Sequence, residues 1–163
     1  MFELGWAKNG TPDTLTGTSD TLNINDLSDL KFNVILQHLL GSSTTNVKNT
    51  YNSDTASNYA DRYSQNGGVD GTRTSKTVYQ TNVVTSVDSR FIVTYFINIA
   101  TEEKLTITHV IENGTVGAAT APSRNELVGK WVDTTNPLNE TTITNTSAGD
   151  YTTDSNVSAL GTN

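Results

Sequence analysis

The sequence predicts an all-β protein, an antiparallel β-sandwich of the jelly-roll type. About eight to ten short segments alternate apolar and polar residues with a period of two, as half-buried strands do. Clusters of Gly, Asn, Asp and Ser separate these segments and indicate turns. The chain also contains 29 Thr, 18 Asn and 14 Ser, which is typical of strands with hydroxyls on the solvent side. Because no linker divides the 163 residues, we predict one domain over residues 1–163.

The clearest pattern is a hairpin over residues 90–112. Its two runs place their odd-numbered apolar side chains on one face, which we predict to be the buried one: Phe91, Val93, Tyr95, Ile97 and Ile99, then Leu105, Ile107, His109 and Ile111. The two sets can oppose each other only if paired residue numbers sum to an even value. A three-residue loop at 100–102 or a five-residue loop at 100–104 satisfies this rule, and a bulge would rescue a four-residue loop.

The even-numbered face of this hairpin is mixed. It carries threonines but also three large apolar residues, Ile92, Phe96 and Val110. If the odd-numbered face is buried, these three residues remain at the surface and would need a covering partner. We therefore predict that Ile92, Phe96 and Val110 form a contact between subunits.

The segments before the hairpin also alternate. Residues 2–6 and 21–27 are predicted strands, separated by a turn at 10–13. Residues 30–40 fit both a strand and a helix, and the β-rich surroundings favour the strand. Residues 46–52 are predicted as an edge or outer strand, and residues 59–64 as a returning strand.

The other segments are assigned from turn signals. Residues 66–71, Asn-Gly-Gly-Val-Asp-Gly, predict a flexible loop leading into a β-rich run at 76–87. After the hairpin, residues 113–123 predict a loop. Strands are then expected at 126–133, 138–145 and 156–161, the last two separated by a turn at 148–150.

Composition disfavours several classes of partner. The formal net charge is −7, the pI is about 4.6 and the basic residues are scattered, so nucleic acid and anionic membranes are not expected partners. No apolar run approaches the roughly 20 residues of a membrane-spanning helix. The first residues lack the basic and apolar regions of a secretory signal. The chain has no Cys, which excludes disulfides and thiolate chemistry.

No catalytic motif emerges, and we expect no enzymatic activity, cofactor or metal. His38 and His109 fall on the predicted inward phases, where hydrogen-bonded core histidines are the favoured interpretation over a metal or acid/base pair. Glu102 and Glu103 lie at a hairpin tip, unlike the separated acids of a glycosidase. The acidic clusters at 20–29 and 133–140 do not match the calcium-loop pattern and are interpreted as turn residues.

A cluster of aromatic residues beside the glycine loop is the candidate for recognition. Tyr51, Tyr59, Arg62 and Tyr63 could stack on a sugar ring or anchor a protein interface. A protein partner is the favoured interpretation, and ordinary strand packing is the alternative to both.

Three segments carry a resemblance to known proteins: S-N-Y-A-D-R-Y-S-Q-N-G-G-V-D at 57–70, I-N-I-A-T-E-E-K-L at 97–105 and A-P-S-R-N-E-L-V-G-K-W at 121–131. The chain resembles small structural proteins of marine phages and archaeal viruses. Its end, with Gly149, Tyr151 and Ala159-Leu160-Gly161, is similar to phage tail and fibre sandwich domains. The strand at 156–159 is more polar than in those domains.

The resemblance implies a non-enzymatic virion component, made in the host cytoplasm, that decorates a capsid or forms part of a head fibre or tail. Its expected partners are further copies of itself, a trimer being one such assembly, and other virion proteins such as the major capsid protein. A carbohydrate-binding module for a host glycan is the alternative, with Tyr51, Tyr59 and Tyr63 as its site.

Overall fold

A computed structural model describes residues 5–83 and 89–163 of the chain, except the side chains of residues 82 and 83. This part of the protein forms thirteen strands. They are β1 (Ala7–Lys8), β2 (Asp13–Thr14), β3 (Thr21–Ile24), β4 (Phe32–Leu40), β5 (Asn46–Tyr51), β6 (Tyr59–Gln65), β7 (Gly71–Lys76), β8 (Tyr79–Val83), β9 (Ser89–Ile97), β10 (Lys104–Glu112), β11 (Ser123–Trp131), β12 (Thr141–Thr144) and β13 (Asn156–Thr162).

The strands form two antiparallel sheets that pack face to face as a sandwich, which confirms the predicted fold class. The large sheet has nine strands in the order β1-β13-β4-β9-β10-β11-β6-β7, and β2 also pairs with β13. The small sheet has the order β3-β12-β5-β8. Because the sandwich has two layers, the small sheet covers one face of the large sheet and leaves the other uncovered.

The centre of the large sheet is built from its longest strands. β4, β9, β10 and β11 each contain nine residues that alternate between the two faces. In the predicted hairpin, Phe96 opposes Thr106 and Phe91 opposes Ile111, so odd residues oppose odd residues as expected. The chain reverses through a turn in which the Glu102 amide donates to the Ile99 carbonyl at 3.1 Å.

The burial of the hairpin is the reverse of the prediction. Ile92, Phe96 and Val110 are essentially inaccessible to solvent and lie in the core. The odd-numbered set, which we expected to be buried, faces outward with Phe91 and Ile107 about half exposed. The subunit contact predicted for Ile92, Phe96 and Val110 is therefore wrong, because their side chains pack inside the sandwich.

An aromatic cluster explains why this face is the buried one. Tyr51 of the small sheet lies 5.0 Å from Phe96 and 5.7 Å from Trp131, measured between ring centroids. Tyr59 and Tyr79 lie within 6.2 Å of the same ring. Such tilted and edge-on pairs stabilise by about 0.5–1.5 kcal/mol each beyond the area that they bury.

Several threonines and amides of the inner face find partners within the sandwich. Tyr79 Oη donates to Thr108 Oγ1 at 3.1 Å, and Thr108 and Thr94 share a further hydrogen bond at 3.0 Å. Gln37 Nε2 donates to Asn49 Oδ1 of the small sheet at 3.1 Å. Satisfied polar groups cost little to bury, so the more polar face of the hairpin can form the core.

Most other predicted strands are present with altered limits. Residues 30–40 form a strand, β4, and not a helix. The strand predicted at 46–52 is β5, which lies between β12 and β8 and is therefore not an edge. The run predicted at 76–87 contains β8, and residues 84–88 lie outside the described part. Of the strand predicted at 2–6, residues 2–4 also lie outside it, and pairing begins at Ala7.

The inverted burial can be tested with two adjacent residues of β9. Phe96 is 1% exposed and Tyr95 is 48% exposed. At high dilution, Phe96→Ala should lower the free energy of unfolding by about 3–5 kcal/mol because it empties the centre of the core. Tyr95→Ala should change it by less than about 1 kcal/mol. Urea unfolding followed by circular dichroism measures both, and equal losses would contradict this assignment of faces.

Candidate functional site

The uncovered face of the large sheet is the most distinctive surface of the described residues. We call it the outer apolar face and define it by eight large side chains, each between 37% and 53% exposed: Phe32, Phe91, Tyr95, Ile97, Leu105, Ile107, Ile111 and Val128. They come from β4, β9, β10 and β11. Strand alternation alone places them on one side, because each has the outward parity of its strand.

The registers align these side chains into rows across the sheet. One row is apolar over five adjacent strands, in the order Val128, Ile107, Tyr95, Val34 and Leu160. Directly opposed side chains on one face contact each other. The row therefore forms a continuous apolar strip that crosses the middle of the sheet.

Val128, Ile107 and Tyr95 of this strip line a shallow trough of about 660 Å³. Trp6 and Phe32 lie at one end of the trough, and Arg62 and Thr72, which oppose each other on β6 and β7, lie at the other end. The Lys31 ammonium lies 5.2 Å from the centre of the Phe32 ring.

The outer apolar face is larger than a single folded chain normally exposes. Aromatic side chains have roughly 200 Å² of surface each; this value for all eight residues, which are about half exposed, gives an upper figure of roughly 750 Å². The largest apolar patch of a typical soluble monomer is roughly 300–600 Å², and larger ones mark interaction sites.

Charged residues lie along one rim of this face and form local ion pairs. Arg62 and Asp70 are 3.6 Å apart, Arg124 and Glu126 are 3.7 Å apart, and Lys130 donates to Glu103 at 2.7 Å. Their side chains are between 39% and 59% exposed. Exposed pairs of this kind stabilise the fold by less than about 1 kcal/mol, but they leave the rim without net charge.

A buried ion pair anchors the β6–β7 end of the sheet. Arg73 Nε donates to Asp61 Oδ1 at 2.8 Å, and the Arg73 guanidinium lies 4.6 Å from the centre of the Tyr63 ring. Burial raises the pKa of Asp61, and Arg73 opposes that rise through its hydrogen bond and its charge. Arg73 therefore stabilises a carboxylate that would be costly to bury alone.

The structure does not bring the predicted recognition residues together at the surface. Tyr51 and Tyr59 are fully buried, and burial raises the pKa of both hydroxyls. The Tyr51 amide donates to Tyr59 Oη at 3.0 Å, so these two residues hold the core together. Arg62 points outward at the rim, and Tyr63 is half-buried and packs against the core. Tyr51 and Tyr59 are therefore not available at the surface, either for the protein interface that was favoured or for the alternative sugar platform, because strand alternation turns them inward.

Both histidines lie on the uncovered side of the large sheet and not on the inward phase that was predicted. His38 is half-buried and bonds to Ser89 Oγ at 3.0 Å, whereas His109 is exposed. Strand β9 lies between their two strands. Over the ranges 5–83 and 89–163, no group of three or more His, Asp or Glu side chains could hold a metal ion.

Sequence reasoning found the residues of the outer apolar face but assigned them to the core. Period-two alternation shows that two sets exist, and the more apolar one is ordinarily the buried one. Val128 and Phe32 were not connected to the hairpin, since their place beside it depends on long-range pairing. The sequence did carry one signal of this surface: both faces of the hairpin have large apolar residues, and together they are more than one core needs.

The fold and this surface together define a class of protein: a β-sandwich with one sheet face uncovered and apolar. No family model, curated protein or solved structure matches the chain. Among the residues that the structure describes, no helix is long and apolar enough to cross a membrane.

The buried ion pair predicts a specific pH dependence. Arg73→Met should cost about 2–4 kcal/mol at pH 7, because it leaves the Asp61 carboxylate buried without its cation. The pKa of Asp61 should then rise further above its ordinary value of 3.8. Between the unfolded and folded pKa values the folded state binds more protons, so stability should fall as the pH rises. Urea unfolding of the variant at pH 4 and pH 7 should therefore show the smaller loss at pH 4.

The control for this experiment is Arg62→Met, which removes the exposed pair with Asp70. It should cost less than about 1 kcal/mol at either pH. An Arg73→Met loss that is the same at pH 4 and pH 7 would contradict the assigned role of Asp61.

Proposed function

We propose that this protein is a non-enzymatic structural component of a virus particle, which assembles with its neighbours through the outer apolar face. The observation that carries the proposal is the size of that face on a folded chain. Apolar burial contributes about 25 cal/mol per Å², so covering up to roughly 750 Å² on each side is a substantial driving force for assembly. A particle that presents many copies needs each contact to be only moderately strong.

The positions of the three segments that resemble virion proteins support this interpretation. Residues 57–70 contain β6, residues 121–131 contain β11, and residues 97–105 form the turn into β10. These three strands are neighbours in the sheet, in the order β10-β11-β6. The resemblance therefore falls on one continuous region, which includes Leu105 and Val128 of the outer apolar face.

Further copies of the chain and other virion proteins, such as the major capsid protein, are the partners in this proposal. Decoration of a capsid, a head fibre and a tail component are all compatible with it. The carbohydrate-binding alternative has no support from Tyr51 and Tyr59, since both are buried. The trough itself is lined mainly by apolar groups, whereas sugar sites need several polar groups placed around the ring.

The proposal is tested on virus particles from cells that carry this gene. An antibody against the purified chain should label intact particles, and the chain should sediment with them in a density gradient at a fixed ratio to the main capsid protein. If the chain stays in the soluble fraction while the particles are complete, the proposal is wrong.

A pair of variants connects the particle to the outer apolar face. Particles made without this chain should take up the purified wild-type protein, and Ile107→Asp should reduce uptake at least about tenfold, because it places a charge within the apolar strip. Val69→Asp is the matched control, since Val69 is 96% exposed in the loop between β6 and β7 and lies outside the face. Equal uptake of the two variants would exclude this face as the contact.

A further inference from the structure

We propose that the outer apolar face packs against the same face of a second copy of this chain, related by a two-fold axis. This inference rests on the proposed function in that both use the same surface: the particle takes up the dimer, so Ile107→Asp lowers uptake by removing the second copy. It goes further by naming the occupant and the geometry, sheet against sheet, with the two apolar strips in contact at the centre.

The size of the face matches such a dimer. A standard stable interface buries about 800 Å² on each partner, and the outer apolar face presents up to roughly 750 Å² from its large side chains. The apolar residues lie in the middle and the charged ones at the rim, which is the arrangement of a specific protein interface.

The shape of the face favours a second copy of this chain over a smaller partner. Two sheets pack face to face about 10 Å apart when each contributes a row of apolar side chains. The strip from Val128 to Leu160 crosses five strands, so a partner must offer an apolar surface of similar width. A second copy offers that surface, and an isologous contact closes after two subunits.

The charges of the rim also permit self-association. The chain carries a net charge of −7, which repels copies approaching most other surfaces. At the rim, the pairs Arg62–Asp70, Arg124–Glu126 and Lys130–Glu103 are each neutralised locally. Each of these six charges already has a partner of opposite sign, so two outer apolar faces can meet without repulsion between unpaired charges of these residues.

The β3 and β7 edges of the sheets are less suitable for assembly than the face. At the β3 edge, the Asn23 amide is occupied by Asp13 Oδ2 at 3.1 Å, and the Thr11 amide donates to the Asn25 carbonyl at 2.8 Å. At the β7 edge, the strand is short and polar, and Ser75 has a left-handed φ of 52° that interrupts the extended backbone. Such features are typical of edges protected against strand addition.

The first test is the mass of the purified protein in solution by light scattering, at low and high salt. On the order of 100 μM, we expect twice the chain mass of 17.6 kDa. The dimer should persist at high salt, because apolar burial is not screened. Ile107→Asp should be a folded monomer by circular dichroism, and Val69→Asp should remain a dimer. A wild-type monomer would overturn the inference, and a trimer would overturn the two-fold geometry.

The second test locates the contact. Because the chain has no cysteine, a single introduced thiol is uniquely addressable. A disulfide forms only within a narrow range of Cα separations, so we would use a bis-maleimide that spans about the 10 Å between packed sheets. Ile107→Cys should cross-link to a dimer, and Val69→Cys should not at the same concentration. Cross-linking only at position 69 would place the contact elsewhere.

These tests separate the inference from the proposed function. If the protein is a monomer in solution and still binds particles through Ile107, the dimer is wrong but the structural role stands. Another particle protein would then cover the face. If the protein is a dimer in solution but is absent from purified particles, the dimer stands and the structural role is wrong.

Discussion

The contact between Tyr51 and the aromatic residues of the large sheet determines the rest of this structure. Tyr51 sits on the small sheet, and its ring lies within 5.8 Å of those of Tyr59, Phe96 and Trp131 on the large sheet and 6.2 Å from that of Tyr79 on its own sheet. Once these rings are together, the even-numbered side chains of β9 and β10 must point inward. Strand alternation then leaves the odd-numbered side chains facing outward, so the apolar outer surface is a consequence of how the core is formed.

Much of the fold could be predicted from the sequence, but the buried face could not. Alternation identified most strands, though not β1, β2 or β7, and the even-sum register of the hairpin, because both follow from local period-two patterns. The choice of face depends on which residues the small sheet supplies, and Tyr51, Tyr79 and Ile143 come from distant parts of the chain. Thr94 and Thr108 made the inner face look solvent-exposed. The hydrogen bond between them, and the one that Thr108 accepts from Tyr79, became visible only in three dimensions.

The outer apolar face and the aromatic recognition cluster were predictable from the sequence to different degrees. The apolar members of the hairpin were recognised as one set, and only their environment was wrong. The aromatic recognition cluster failed for a different reason, since sequence proximity grouped Tyr51 and Tyr59 with Arg62 although strand parity sends Tyr59 and Arg62 to opposite faces. The distribution of charged side chains over the surface is also visible only in the folded structure. The chain carries a net charge of −7, yet the three ion pairs at the rim of the outer apolar face are each neutral, and the dimer proposed above depends on that local neutrality.

The pairing of β1 with β13 has a mechanical consequence. Ala7 opposes Gly161 and Lys8 opposes Leu160, and the Asn9 amide donates to the Ala159 carbonyl at 2.9 Å. A pulling force applied through the segments that precede β1 and follow β13 would act at the same end of this pair. The strands would then separate one hydrogen bond at a time, as a zipper opens, instead of sliding past each other with all bonds under load at once. Under such a force, β1 would therefore separate from β13 first, while the aromatic core between the two sheets is still intact.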